Sequence, residues 1–273
     1  MPTSASLFAR IAAMEIRGRE RHWSLMPPEL ARRLKPRVER VGDGLATLLP
    51  KSDSLQMNRV VGLGSRGSVS AATVGELVAL YRSARLRRFS VELPAGPRAR
   101  ATEARLVAAG LRTHRSFSLL LRDLSHPIAR APAGVRATRA RGAALAEVVD
   151  IFRECFGGPV SRRAWALAAA TRGRTESFIA WSGPSAMAVG SLLVEDRLGW
   201  FNGGATRPRW RHRGAHAALI VARLRRARGL GCRWAWSEAS PPAPGRPSGS
   251  YRNLLRHGFE PVAEKRVLLW RER

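Results

Sequence analysis

The sequence predicts a mixed fold of class α/β (α+β), in which the two halves of the chain repeat a similar order of strands and helices. Segments rich in β-branched and aromatic residues alternate with segments whose apolar residues recur at helical spacing, and both halves show this alternation. The length of 273 residues exceeds that of a usual single domain and lets each half bury a core of its own. We therefore expect two domains, 1–128 and 129–273.

The order of elements is clearest in the second half. Residues 134–140 form a short predicted strand, and the spacing of apolar residues predicts a helix over Ala144–Phe156. Ser161 is the expected N-cap of a second helix that runs through Ala170. The rest of this half is predicted as strands at 177–181, 186–194, 198–206, 232–238 and 262–270, and as helices at 213–228 and 251–257.

The first half repeats part of this order. A helix is expected from about Ser4, and Thr73 with Glu76 forms a capping box for a helix that runs through Leu86. The other predicted elements are strands at 39–49, 58–63, 88–93 and 115–121, and a helix at 99–109 that Gly110 stops. The linker is expected within 126–134, where Pro, Gly and Ala cluster without apolar periodicity.

A donor-rich junction lies between the predicted strand at 198–206 and the predicted helix at 213–228. Glycines interrupt the strand near its end, which predicts a β-bulge. The first amides of a helix have no acceptor within the helix, and the helix dipole places partial positive charge at the same end. The sequence therefore predicts a binding site for a diphosphate at this junction.

The junction resembles the cofactor loop of the GNAT superfamily of acyl-CoA-dependent N-acyltransferases. The family's loop has the pattern Gln/Arg-x-x-Gly-x-Gly/Ala, which Arg211 and Gly214 match, whereas His216 stands where the family has Gly or Ala. The element order over 134–273 is also similar to the family's. The resemblance implies two GNAT-like domains in tandem, each a mixed, mostly antiparallel twisted sheet flanked by helices. The second would be the N-acetyltransferase domain with splayed central strands, and the first a degenerate copy without a phosphate loop.

The resemblance also implies a reaction. An acetyl group would move from acetyl-CoA to a primary amine by direct attack in a ternary complex, with a small molecule or a protein amino group as the acceptor. This chemistry needs neither a metal nor a covalent nucleophile. The residues implied to hold the coenzyme are Gly204, Ala205, Thr206, Arg211, His212, Arg213, Gly214, Ala215, His216, Ser250 and Asn253.

Glu238 is the first candidate for the general base. Period-two alternation places it on the same strand face as Cys232, Trp234 and Trp236, at the strand end nearest the expected thioester. Partial burial beside indole rings would raise its pKa and make it a better proton acceptor near neutral pH. The alternative is a solvent-exposed glutamate at a strand end. His216 is a lesser candidate for the base, or else a residue that packs or faces the phosphates.

Tyr251 is the candidate for the general acid. The segment 250–259 resembles the family's last helix with its Gly-Phe ending, but the tyrosine that often protonates the CoA thiolate in the family aligns with Leu254. Tyr251 lies one turn earlier on about the same face, and it either takes that role or is a surface aromatic. The spacing of Ser250 and Asn253 resembles a subset of the family in which both residues face the coenzyme.

Two other motifs have simpler interpretations. Residues 62–67 have the pattern Gly-x-Gly-x-x-Gly, with Glu92 at the end of the next predicted strand, as in a dinucleotide-binding fold. The following helix is predicted to begin several residues too late for that role, so we interpret the motif as a glycine-rich turn. Cys155 has no histidine near it in sequence and is interpreted as a packed thiol. The loop 155–160 either shapes an acceptor pocket with Trp165 or only connects two helices.

The charge of the chain limits the class of partner. The formal net charge is +28, and almost all of the cations are arginines that are spread through every predicted helix and many turns. This spread is typical of a codon bias of the source genome, and the resulting field favours anionic ligands such as a CoA nucleotide. We rank a nucleic-acid or ribosome-associated module third, after an N-acetyltransferase and a non-catalytic acyl-CoA-binding regulatory module.

The remaining features concern the compartment. No apolar run is long enough to span a bilayer, and the first 20 residues lack the pattern of a signal peptide. Cys155 and Cys232 are single cysteines in different predicted elements, which indicates neither a disulfide framework nor a zinc site. We expect a cytoplasmic protein with no membrane partner and no bound metal.

Overall fold

The computed structural model describes residues 5–96, 99–157, 162–243 and 248–272, and these residues divide into two compact units. The first unit comprises residues up to Ser24, Pro28–Phe117 and Ala263–Arg273, and the second comprises Leu25–Pro27 and Ser118–Val262. The predicted boundary between residues 128 and 129 stays a prediction.

The described residues form eight α-helices and eleven β-strands. The helices are α1 (Ala5–Ser24), α2 (Pro28–Leu34), α3 (Ala71–Ser83), α4 (Ala99–Ala108), α5 (Ala144–Phe156), α6 (Arg163–Arg172), α7 (Ala215–Gly229) and α8 (Gly249–Arg256). The strands are β1 (Arg37–Val41), β2 (Gly44–Leu48), β3 (Arg59–Val61), β4 (Arg88–Glu92), β5 (Arg112–Asp123), β6 (Arg136–Arg139), β7 (Glu176–Ser182), β8 (Ser185–Glu195), β9 (Leu198–Thr206), β10 (Trp234–Ala239) and β11 (Glu260–Arg271).

In the first unit the strand order is β1-β2-β3-β4-β11. Strands β3 and β4 pair in parallel, whereas the other neighbouring pairs are antiparallel. Aromatic rings form the centre of the core, where Tyr81 stacks on Phe89 at 4.0 Å between ring centroids and Trp270 continues the stack. A buried ion pair joins Glu15 of α1 to Lys265 of β11. The first unit therefore includes residues from both ends of the sequence.

In the second unit the strand order is β5-β10-β9-β8-β7-β6. Only β9 and β10 pair in parallel there. One face of these strands packs against α7, through Leu219 and Leu224 of the helix and Phe201 of β9. The other face packs against α5, through Ile151 of the helix and Val189 of β8. The parallel pair β9 and β10 thus lies between two helical layers.

The predicted fold class is confirmed, because the strands are mixed, mostly antiparallel and flanked by helices. The helix over Ala144–Phe156 and the strand over Leu198–Thr206 have the predicted bounds. The predicted N-cap Ser161 lies outside the described residues. No helix in the described part of the chain is both long and apolar enough to cross a bilayer.

Two predictions in the first half were wrong, and one helix was missed. The single strand over 39–49 is a hairpin, because the chain turns at Gly42, which has φ 57°. The helix α2 was not predicted at all. The capping box was placed too late, because the N-cap of α3 is Ser70, whose hydroxyl accepts a hydrogen bond from the Thr73 amide at 3.0 Å.

Candidate functional site

A β-bulge lies near the end of β9, as the sequence predicts. Val189 of β8 faces Ala205, but Ser191 faces Asn202, so β9 contains one residue more than β8 between these pairs. Gly203 has φ 58°, and a Cβ added there would lie 2.8 Å from Cζ of Phe152. Only glycine fits this position, because both the backbone conformation and the space exclude a side chain.

Strands β9 and β10 part at this bulge. Their parallel pairing joins Trp234–Ser237 to Leu198–Phe201 and then ends, although β10 continues to pair with β5 as far as Ala239. The hydroxyl of Ser237 donates to the Phe201 carbonyl at 2.8 Å beside the last backbone pair. Beyond it, the predicted splay is present, and residues 202–206 form one edge of the gap between the strands.

The loop after β9 is held at its start by Arg207. The Arg207 amide donates to the Met187 carbonyl at 3.0 Å, and its guanidinium contacts Glu147 at 2.8 Å and Glu154 at 2.7 Å. Both carboxylates belong to α5. The guanidinium also donates to the Ala186 carbonyl at 2.9 Å. Because these contacts fix Arg207, the loop leaves the strand in one direction.

Backbone donors then collect at the start of α7. In the described residues, no acceptor is assigned to the amides of residues 212–217, and the first helical bond runs from the Ala218 amide to the Gly214 carbonyl at 3.0 Å. The side chains of Arg211, His212 and Arg213 are exposed around these amides. Unpaired amides, a helix dipole and cationic side chains converge here, so the site fits a diphosphate.

Gly214 permits this loop geometry. It is the N-cap of α7 with φ 78°, and no side chain caps the helix. A Cβ added to it would lie 3.0 Å from Cβ of Pro132. Any other residue would therefore be strained in the left-handed region and pressed against the proline.

His216 connects this loop to the bulge and to α8. Its Nδ1 lies 3.2 Å from Nδ2 of Asn253, and a Cβ added to Gly204 would lie 3.8 Å from its Nε2. Burial, together with the nearby Arg223 and His257, lowers the pKa of His216 to about 3. The ring is therefore neutral at physiological pH. If the Asn253 amide donates to Nδ1, the ring proton is on Nε2, which faces the bulge.

Arg223 is a cation that the sequence analysis missed. It is only 2% exposed, and its guanidinium donates to the carbonyls of Leu219 at 3.1 Å and Ser191 at 3.2 Å. It also lies 4.6 Å from the ring centroid of Phe201. Burial lowers the pKa of Arg223 to about 9, so it stays charged at neutral pH. Among the described residues, no carboxylate pairs with it.

Glu238 lies on the opposite face of the strands from α7. Its neighbours Ser237 and Ala239 alternate with it, and Ala239 packs into the core beneath α7. Trp236 shares the face of Glu238 and stacks on Trp200 of β9 at 4.8 Å. Glu238 itself is half-buried. The predicted common face of Trp236 and Glu238 is therefore present, on the side of α5. The prediction was wrong for Cys232, which precedes β10 and packs in the core beneath α7 with Ala235.

Tyr251 lies on the side of α7. It is partly buried against the core that includes Leu254 and Leu219, and its amide donates to the Ser248 hydroxyl, which caps α8, at 3.2 Å. Leu254 is only 2% exposed and belongs to this core. Ser250 is exposed. The fold thus places the base candidate Glu238 and the acid candidate Tyr251 on different faces of the parted strands.

The structure brings some predicted residues together and separates others. Gly204, His216 and Asn253 form one continuous group at the gap. The predicted packed thiol is confirmed for Cys155, which contacts the core beneath α5 and whose pKa is raised by burial and by Glu154. In the described part of the chain, no cluster of His, Cys, Asp or Glu side chains could hold a metal ion.

Several solved structures with a similar fold carry the names of GNAT acetyltransferases. The chain is similar to a GCN5-related N-acetyltransferase from Kribbella flavida, with 19% identity, a TM-score of 0.66 and coverage of 95% of this chain and 94% of that one. It is similar to a GCN5-related N-acetyltransferase from Sphaerobacter thermophilus, with 14% identity, a TM-score of 0.61 and coverage of 98% and 93%. No protein-family model and no curated protein matches the sequence.

A third structure has the tandem arrangement. The chain is similar to a tandem GNAT protein from the clavulanic acid biosynthesis pathway, with 16% identity, a TM-score of 0.60 and coverage of 84% of this chain and 78% of that one. The chain therefore has the GNAT fold, and it has it in the tandem form that the element order predicts.

Proposed function

We propose that the second unit is an N-acetyltransferase that moves the acetyl group of acetyl-CoA to a primary amine. One observation carries the proposal: a loop of backbone donors at the start of α7 opens beside a gap between two parallel strands. The diphosphate of acetyl-CoA would bind to the donors and its extended pantetheine arm to the strand edge, so the two features must lie next to each other. The fold shared with GNAT acetyltransferases supports the same function.

The loop and the gap would divide the binding of acetyl-CoA between them. The amides of residues 212–217 would donate to the diphosphate, with Arg211 and Arg213 as counter-charges. Gly204, Ala205 and Thr206 would pair with the amide groups of the pantetheine arm, as an added strand does. Asn253 would hold His216, and Ser250 lies exposed on the same helix.

The reaction needs a proton acceptor for the amine and a proton donor for the sulfur, and the two candidate residues lie on opposite faces of the gap. The amine nitrogen attacks the thioester carbonyl carbon, a C–N bond forms, the C–S bond breaks, and its electron pair leaves with the sulfur. Glu238 would take the proton that the amine loses, and Tyr251 would give a proton to the sulfur. The Nε2 proton of His216, on the side of Tyr251, would stabilise the negative charge that develops on the thioester during the reaction. Alignment of the two reactants would lower the activation barrier further, by roughly 7 to 11 kcal/mol in intramolecular analogues.

The acceptor would enter from the side of α5. That face carries Glu238, Trp236 and Trp200, and Trp236 is buried with an indole N–H that has no acceptor among the described residues. A carboxylate beside indole rings suits an amine that carries one positive charge before it is deprotonated. We propose a small molecule or a protein amino group as the acceptor, and the cytoplasm, where free Cys155 and Cys232 stay reduced, as the location.

A matched pair of loop variants tests the coenzyme site. Arg211→Ala removes an exposed cation beside the unpaired amides, whereas Arg209→Ala removes one from the preceding turn. Acetyl-CoA at about one hundred times its Kd should raise the unfolding free energy of the wild type by roughly 2.7 kcal/mol. This gain should shrink in Arg211→Ala and persist in Arg209→Ala. If the wild type gains nothing from acetyl-CoA, the proposed function is wrong.

A non-catalytic acyl-CoA-binding module is the second candidate. It is favoured by Leu254, which fills the core at the position where the family's tyrosine aligns. Both candidates bind acetyl-CoA, so turnover distinguishes them. Release of free thiol from acetyl-CoA in the presence of a panel of amines supports the transferase, and tight binding without release supports the second candidate.

A further inference from the structure

The glycine motif at 62–67 has no part in the proposed reaction, yet its backbone binds a carboxylate. The loop connects β3 to α3 in the first unit. The Gly64 amide donates to Oδ1 of Asp43 at 2.6 Å, and the Arg66 amide donates to Oδ2 at 2.6 Å. The hydroxyl of Ser65 also lies 3.3 Å from Oδ2. Asp43 itself belongs to the hairpin turn between β1 and β2.

The backbone of this loop has the form of an anion nest. Gly62 has φ 75° and Gly64 has φ 82°, and the amides of Gly64 and Arg66 turn toward Asp43, whereas the Ser65 amide between them donates to the Gly62 carbonyl at 3.1 Å. A Cβ would lie 2.4 Å from Cδ1 of Ile16 at Gly62, and 2.2 Å from Oγ1 of Thr102 at Gly64. The glycines are therefore required by the nest and by its close packing, and no dinucleotide fold is needed to explain them.

A second group at this loop has no partner of its own. Thr102 of α4 is only 1% exposed, and its hydroxyl lies directly against Gly64. It makes no hydrogen bond in the part of the chain that the structure describes. A small pocket adjoins the same place, with Gly64, Ser65, Phe8 and Pro94 among its lining residues and a volume of about 20 Å³, enough for one water-sized group. A buried hydroxyl without a partner is costly and therefore requires a structural or functional reason.

We propose that residues 62–66 form an oxyanion-binding nest of the phosphate class, and that the carboxylate of Asp43 occupies it from within the chain. A carboxylate and a phosphate both present two oxygens to two amides, so one replaces the other in such a nest. The loop has the same place between a strand and a helix that residues 207–214 have in the second unit. The first unit therefore takes up a phosphate-class ligand only when Asp43 is removed, and the chain binds one coenzyme.

Hydrogen exchange at the loop tests this inference. The amides of residues 64–66 are followed by mass spectrometry in the wild type and in Asp43→Ala, with and without inorganic pyrophosphate. In Asp43→Ala we expect exchange to become about tenfold faster, and pyrophosphate to slow it again by a similar factor. In the wild type, pyrophosphate should leave this segment unchanged, because the nest is filled.

Asp53→Ala is the matched control, since it also removes one carboxylate from the first unit. Asp53 is exposed and pairs with Arg88, so pyrophosphate should have no effect on residues 64–66 in this variant. The inference is overturned if pyrophosphate slows exchange equally in the wild type, or if folded Asp43→Ala shows no effect. Asp43→Asn, which keeps one acceptor oxygen, replaces Asp43→Ala if circular dichroism shows that the alanine variant is unfolded. It should then show a smaller pyrophosphate effect, and no effect in it would also overturn the inference.

The same measurement separates this inference from the proposed function. Acetyl-CoA should slow exchange in the segment 207–217 of the second unit in every variant. If that segment is unaffected while pyrophosphate acts on residues 64–66 of Asp43→Ala, the proposed function fails and the nest remains.

Discussion

Asn253 and His216 contact each other through their side-chain nitrogens at 3.2 Å, although 37 residues separate them in the sequence. The contact joins α8 to the first turn of α7. It places a neutral imidazole beside Gly204, where the strands part. The position at which the family's loop has glycine or alanine therefore carries a hydrogen-bond donor in this chain.

The first prediction concerns Gly214. Gly214→Ala should weaken acetyl-CoA binding at least tenfold, because the new Cβ would press on Pro132 and move the amides. Gly231→Ala is the control. Gly231 has φ 75° at the other end of α7 but has open space around it. Both variants should lose about 1 to 2 kcal/mol of stability through left-handed strain. Titration calorimetry measures binding, and equal affinities in the two variants would contradict the role of the loop.

The second prediction concerns the pH dependence of stability. The folded pKa of His216, about 3, lies below the usual 6.5, so the unfolded chain binds more protons between these values. The free energy of unfolding should therefore fall as the pH decreases below about 6.5, by on the order of 1 to 2 kcal/mol at pH 5 from this group. His216→Gln should make the slope shallower, and a remaining slope should persist because burial also lowers the pKa of His22 to about 4. Substitution of the exposed His114 should not change the slope. Urea titrations at several pH values measure the slope, and an unchanged slope in His216→Gln would refute the prediction.

The third prediction concerns Arg223. A buried cation without a carboxylate partner does little for stability, so Arg223→Met should leave the free energy of unfolding within about 1 kcal/mol of the wild type or raise it. Acetyl transfer should nevertheless slow, because the Arg223 guanidinium donates to the Ser191 carbonyl beside the bulge and lies near His216. Arg225→Met, on the exposed side of the same helix, should change neither property. A loss of stability above about 3 kcal/mol in Arg223→Met would show that the guanidinium stabilises the folded protein, contrary to the prediction.

The fourth prediction concerns the base. Glu238→Gln should lower kcat by roughly 10² to 10⁴, the usual contribution of a general base, and leave the Kd for acetyl-CoA unchanged. Glu264→Gln is the control, because Glu264 is an exposed strand residue that pairs with Arg266 at 3.3 Å. Steady-state kinetics with the best amine of the panel gives the comparison. Full activity in Glu238→Gln would show that Glu238 is not the general base.

The fifth prediction concerns the buried ion pair of the first unit. Glu15→Gln should cost about 3 to 5 kcal/mol of stability, because it removes the carboxylate that pairs with the buried Lys265 ammonium. Glu20→Gln, on the same helix, removes a half-exposed partner of Arg40 and should cost less than about 1 kcal/mol. Chemical denaturation followed by circular dichroism measures both. Similar losses of stability in the two variants would show that the buried ion pair contributes no more to the free energy of unfolding than the exposed one.

Local patterns made much of the fold predictable from the sequence. The helix α5 has its predicted bounds because its apolar residues repeat at helical spacing. The bulge in β9 follows from the glycines at its end. The hairpin at Gly42 was missed because apolar residues on both sides of the turn continue the pattern of a single strand.

Long-range contacts were not predictable in the same way. Arg223 stands in line with the buried Ile220 and Ala227 on α7, which is a weak sign of burial, but its place against Gly190 depends on another strand. The contact between His216 and Asn253 depends on how two helices pack. The bond from Asp43 to the loop at 62–66 spans 21 residues to Gly64 and forms only when the hairpin turn is in place.

The division of the chain has a consequence for synthesis. The first unit includes Ala263–Arg273, whereas Ser118–Val262 belong to the second. A nascent polypeptide can therefore complete the second unit while the first still lacks the strand that carries Lys265. Termination of translation just before Ala263 would therefore leave the second unit complete in sequence and the first unit without the segment that carries Lys265.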